Sequence, residues 1–148
     1  MSAASRIAIA RRWLFVRETE GPNLGKWVEF FQRFCDNQPG DPWCASFIST
    51  VMNVDEKGAT TYPRTGSTAQ LLGAARHKGL VIDTPEIGCL FFYVYETTRE
   101  PHHVGLVTGL SPLIGLAGNT SEDGKNSEGT GVFEHAISST NIVFARVP

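Results

Sequence analysis

An α+β fold is what this chain predicts: N-terminal helices packed on a C-terminal antiparallel sheet of about five strands. Two observations carry that expectation. Up to Gly79 the apolar residues recur at helical spacing, whereas from Gly88 onward short runs of β-branched and aromatic residues alternate with turn residues. Helices first and strands second is the segregated α+β pattern, not the alternating one that builds parallel sheets. The 148 residues, 41% hydrophobic and 19% charged, suffice for one buried core, so the whole chain, 1–148, reads as a single domain.

Taken in order, residues 2–17 read as a helix with Ile7, Ala10, Trp13 and Leu14 along one side. The turn-rich stretch Glu18 to Asn23 breaks it. A second helix is expected from about Leu24 to Cys35, with Trp27, Phe30, Phe31 and Phe34 as its apolar stripe. Asn37-Gln38-Pro39-Gly40 ends that helix and leads into a third, which persists to about Asn53. Asp55 to Gly66 reads as a surface loop. Ser67 caps a further helix that runs to about Lys78 and stops at Gly79. Strands follow at 88–95, 103–109, 113–118, 132–137 and 142–147, with a long polar loop from Asn119 to Thr130.

Composition narrows the function. A net charge of −2 with scattered Lys and Arg recommends neither nucleic acid nor an anionic membrane as partner. No apolar run approaches the roughly 18–20 residues that span a bilayer, so no membrane insertion is expected. Arg6, Arg11 and Arg12 interrupt the apolar segment at the N-terminus, which argues against a conventional secretion signal. Synthesis in a reducing cytoplasm is the corresponding expectation. Cys35, Cys44 and Cys89 are odd in number and lack metal-ligand spacing, so free thiols are expected and no cofactor is called for.

Among the three cysteines, Cys44 stands apart. In Asp41-Pro42-Trp43-Cys44, Asp41 is a good N-cap and Pro42 suits the first helical position. Cys44 then falls in the first turn, where free amide N–H groups and the positive end of the helix dipole favour a thiolate. Such placement lowers a thiol from its ordinary pKa of about 8.5 toward neutrality. A lone cysteine at a helix start is more often an ordinary small buried side chain. What raises Cys44 above that reading is the second half of the chain. A thiol nucleophile needs a base, and the base needs an orienting partner. His103 begins one expected strand and Asn119 ends the next, and adjacent antiparallel strands lie about 4.8 Å apart. The start of one therefore stands beside the end of the other.

Pro42-Trp43-Cys44-Ala45-Ser46-Phe47, Gly88-Cys89-Leu90-Phe91-Phe92, His103-Val104-Gly105-Leu106-Val107 and Gly118-Asn119, in that order, resemble the CHAP superfamily of papain-like cysteine amidohydrolases and peptidases. The closest flavour is the small single-domain type of phages and prophages, with a turn similar to Arg17–Asn23 ahead of the nucleophile helix. The resemblance implies a papain-like or NlpC-like fold and hydrolysis of peptidoglycan amide bonds. It assigns Cys44 as nucleophile, His103 as general base and Asn119 as orienter. It also implies an oxyanion hole from the Cys44 amide and Gln38, and substrate contacts at Trp43 and Asn23. Burial of Trp43 against the sheet is the alternative for that residue.

Two departures accompany it. Where many members carry Glu two residues before the Asn, this chain has Ala117, and the usual Pro-Gly-Asp before the second strand is replaced by Ile87-Gly88-Cys89. Asp36, Asn37 and Asp41 lack the dense oxygen run that Ca²⁺ requires, so no metal is expected. Of the other histidines, His102 reads as a solvent or rim residue, His77 as a helix-end residue and His135 as a strand residue away from the site. The loop 121–129 either borders the cleft or is plain surface. The reading is a phage lysin acting on bacterial peptidoglycan. It would be made in the host cytoplasm and reach the wall by holin release or as a virion component. A non-catalytic module on the same scaffold and a papain-like effector acting on a host protein are the alternatives.

Overall fold

The switch from helical to strand periodicity near Gly79 is the main seam of the structure. A computed structural model describes residues 1–54, 61–125 and 129–148. Among these residues the helices are α1 (Ala3–Arg11), α2 (Lys26–Phe34), α3 (Cys44–Asn53) and α4 (Thr68–His77). The strands are β1 (Val81–Ile82), β2 (Leu90–Val94), β3 (Pro101–Leu110), β4 (Leu113–Thr120), β5 (Gly131–Ala136) and β6 (Ile142–Ala145). They form one antiparallel sheet in the order β1-β6-β2-β3-β4-β5. The α+β class stands, with one strand more than expected. β1 is too short to show a period of two, and it exists because its two residues pair with Ala145 and Phe144 of β6.

The first helix is shorter than its sequence pattern. After Arg11 the chain turns, because residues 16–18 are drawn to the free edge of β5. The Val132 N–H donates to the Val16 carbonyl (3.1 Å) and the Glu18 N–H to that of Thr130 (2.7 Å). A β-edge supplies partners that another helical turn would forgo. At α4 the cap is as read: the Ser67 hydroxyl accepts from the Gln70 N–H. Of the loop 55–66, residues 55–60 lie outside the described residues. Tyr62 and Thr65 in its second half are buried rather than surface residues.

α3 is the hub. It is buried from Cys44 to Met52 and packs on β3 and β4 on one side and on α1, α2 and α4 on the other. A helix apolar nearly all round belongs inside a core. Its polar residues turn back on the backbone: Thr50 donates to the Ser46 carbonyl (2.8 Å) and Ser49 to that of Thr65 (2.7 Å). Trp43, just ahead of it, is fully buried, stacked on Phe31 at 5.9 Å, and its indole N–H donates to Glu18 (3.0 Å). Gly118 of β4 lets this corner close, since a Cβ there would stand 2.7 Å from the Trp43 ring.

The sheet has two apolar faces. Leu90, Phe92, Val104, Leu106 and Leu116 join the helices in the main core. On the other face Cys89, Phe91, Tyr93, Val107 and Ala117 form a smaller cluster with Ile142 and Phe144. Strand alternation produces this division. Two bulges interrupt it near the end of the sheet closest to the start of α3. One lies opposite Tyr93 and Val94 at His102, the other between Ala117 and Thr120, where Asn119 adopts φ 51°.

Candidate functional site

Cys44 is the first residue of α3, two steps closer to the helix end than Asp41 and Pro42 as cap and first residue would put it. The N-cap is Trp43 (φ −129°, ψ 11°), whose side chain makes no capping bond. Asp41 is committed elsewhere: its carboxylate accepts from the Gln38 N–H (2.8 Å) and closes the turn before the helix. The cap role passes to Trp43 because the buried indole anchors the chain there, and the Trp43 carbonyl accepts the first helical bond, from Phe47 (2.9 Å). The electrostatic consequence is unchanged. Cys44 sits at the positive end of a ten-residue helix with the first N–H groups of that helix beside it.

A cavity of about 330 Å³ opens at this helix end. Cys44, Asn37, Asp41, Thr68, His102 and Asn119 are on its walls. The start of α4 and the ends of β3 and β4 thus meet the start of α3 at one place. Asn37 is held by its N–H bond to the Gln32 carbonyl (2.9 Å) and lies flush against Gly66, where a Cβ would stand 2.0 Å from its amide nitrogen.

Asn119 is almost wholly buried, and neither atom of its carboxamide has a partner. The same holds for both ring nitrogens of His103. The β3–β4 pairing reaches Leu106 and Leu116, and His103 and Asn119 each lie three residues beyond that pair along their strands, towards the same end of the sheet. His103 does not line the cavity with Cys44. Its ring lies among Phe91, Tyr93 and His135, on the face of the sheet away from α3, with the Tyr93 ring stacked at 5.4 Å. Burial, with smaller contributions from His135 and His102, pushes the His103 imidazole down from its ordinary 6.5 to about 3, so it is neutral at working pH. His102, expected at the rim, is half-buried on the cavity wall beside Cys44 and Asn119, and burial lowers its pKa too. The bulge puts two successive histidines opposite Tyr93, which simple alternation does not anticipate.

Three other expected site residues have structural tasks. Trp43 is core, fully enclosed against Phe31, and floors no groove. Asn23, in the left-handed region at φ 57°, clasps the turn before α3: its amide donates to the Gly40 carbonyl (3.1 Å) and its own carbonyl accepts from Gln32 (2.9 Å). Gln38 is exposed and off the cavity wall, because the turn closed by Asp41 points it outward; the carboxamide on the wall is that of Asn37. No family model, curated protein or solved structure matches the chain. The site must therefore be read from its own chemistry. Burial raises the Cys35 and Cys89 thiols, Cys89 to about 11, which disfavours the thiolate at both. Among the described residues no cluster of three or more His, Cys, Asp or Glu is arranged to hold a metal ion. Asn37, Thr68 and His102 are among the wall residues not read as site groups in the sequence. None of the three carries a local signal beyond its residue type.

Proposed function

We propose that the chain is a cysteine-dependent peptidoglycan hydrolase of the CHAP type, with a papain-like Cys44–His103–Asn119 site, serving as a phage lysin. The observation that carries the reading is the cavity that Cys44 shares with Asn119 at the end of the sheet where His103 and Asn119 hold four buried side-chain polar atoms with no partner among the described residues. Unpaired buried polar groups each cost roughly 1–3 kcal/mol and call for an explanation. A working dyad, in which the Asn119 oxygen accepts from one imidazole nitrogen while the other takes the thiol proton, supplies one.

In the reaction, Cys44 gives its proton to the base histidine and attacks the amide carbonyl, and the resulting oxyanion is held by N–H groups at the start of α3. The tetrahedral adduct collapses, the C–N bond breaks, and the histidine protonates the leaving amine. A water then gives its proton to the histidine and its oxygen to the acyl carbon, releasing the acid and returning the thiol. Loss of turbidity in purified peptidoglycan tests this, with mass spectrometry of the muropeptides to identify the bond. Cys44→Ala clearing the wall as fast as the parent chain would end the proposal.

A second reading keeps the reaction and exchanges the base. His102 lines the cavity with Cys44 and His103 does not, which favours His102 as the proton acceptor. The two single histidine variants separate these readings. The non-catalytic module is separated by the rate at which iodoacetamide labels Cys44 at neutral pH relative to Cys35 and Cys89. The host-protein effector is separated by inert peptidoglycan.

A further inference from the structure

His102 belongs to two cavities. Besides the one that holds Cys44, it lines a second, of about 270 Å³, together with Tyr93, Gly124, Lys125, Ser138 and Ser139. His102 is thus a wall common to the two spaces. The second is chemically distinct. It offers one cation, the two serine hydroxyls and the Tyr93 phenol, and no carboxylate is on its wall among the described residues.

Lys125 is exposed, but the backbone that carries it is set in place by its surroundings. The Tyr93 hydroxyl donates to the Gly124 carbonyl (3.5 Å). Gly124, at φ 71°, lies so close to His135 that a Cβ there would stand 2.0 Å from its ring. The Lys125 N–H donates to Asp123 (3.0 Å), whose carboxylate also accepts from the Ser121 hydroxyl (2.7 Å). The backbone that carries the ammonium group is therefore fastened to the sheet one residue earlier.

We propose that this second cavity is a substrate subsite for a peptide carboxylate, held by Lys125 with hydroxyl donors from Ser138 and Ser139. It rests on Cys44 being the reacting thiol. A peptide lying across His102 places an amide in the first compartment and an anionic end in the second. An ammonium with adjacent hydroxyls meets a carboxylate's acceptor lone pairs, and a carboxamide of the same shape forfeits the charge.

The test is protection of Cys44 from iodoacetamide, followed by intact mass, with N-acetylated Ala-Ala dipeptides as probes, each stereoisomer as the free acid and as its C-terminal amide. In the parent chain the better acid should protect at about tenfold lower concentration than its amide. Lys125→Ala should erase that difference, and Lys125→Arg should keep most of it. Equal protection by acid and amide, no protection by either, or a difference that survives Lys125→Ala overturns the subsite. Turbidity loss is read separately. A protein that discriminates acid from amide yet leaves peptidoglycan intact keeps the subsite and removes the cell-wall substrate. One that clears peptidoglycan without discriminating does the reverse.

Discussion

The middle of α3 and the neighbouring ends of β3 and β4 are both deeply buried, yet they treat polar groups in opposite ways. Along α3, Ser49, Thr50 and Asn53 each bond a backbone carbonyl at 2.7–2.8 Å, and only the single Ser46 hydroxyl is buried without a partner among the described residues. At the sheet end, His103 and Asn119 are the two described residues with two unpaired buried side-chain atoms apiece. A helix interior can solve its polar problem locally, as Thr50 and Asn53 do by turning back on the carbonyl four residues earlier, while Ser49 reaches across to Thr65. An imidazole and a carboxamide at a bulged sheet end have no such local partner. They are tolerated where they do something besides packing.

The contrast breaks most directly at Cys44. Cys44→Ala should abolish hydrolysis, a loss beyond about a thousandfold, while changing the melting temperature by only a few degrees, since a small side chain replaces a small one. Next come the histidines. His103→Ala should cost about 10²–10⁴ in kcat if it is the proton acceptor, and His102→Ala no more than about tenfold. The opposite order would make His102 the base and leave His103 a buried strand residue. Activity and circular dichroism on the same preparations keep lost chemistry apart from lost fold.

A weaker effect should appear in the pH dependence of stability. His103, His135 and His102 all have lowered pKa values, with burial the first cause in each case. Between the ordinary histidine value near 6.5 and the His103 value of about 3, the unfolded chain binds protons that the folded chain refuses. Stability therefore rises with pH across that window. It is fully present above about pH 6.5 and is progressively lost on acidification toward pH 3. Urea midpoints at pH 7 and pH 5 check the sign, and His103→Phe should reduce the slope. A midpoint that does not move between these values would mean that the rings are hydrated or paired.

Much of the fold was legible in the chain because periodicity reports burial. The cap at Ser67, the aromatic stripe around Phe31 and the switch to strands all follow from patterns within ten residues or so. What sequence could not carry was context at the two ends of an element. Residues 13–17 continue a helical pattern, but the edge of β5 competes for their backbone and wins. Asp41 and Pro42 have the right chemistry to start a helix, but a buried indole two residues on decides where it starts. For the candidate site, Cys44 and Asn119 sharing a wall was readable from helix start and strand end. Which of two successive histidines faces the thiol was not, because a bulge resets alternation without a mark in the residues themselves.

Trp43 sharpens the comparison from the structural side, with the smallest effect. It adjoins the nucleophile in sequence, yet its ring is enclosed by Phe31 and by the Gly118 backbone, and its N–H is satisfied by Glu18. A residue so placed belongs with the settled interior of α3, not with the unpaired sheet end. Trp43→Phe removes the indole bond and leaves a small void, which together cost about 1–3 kcal/mol. Turnover should stay within about threefold of the parent chain, with KM unchanged, because the ring never reaches the cavity. Denaturant unfolding and steady-state kinetics on the one variant decide the matter. A raised KM with stability intact would return Trp43 to the substrate groove and move the boundary between the two regions by one residue.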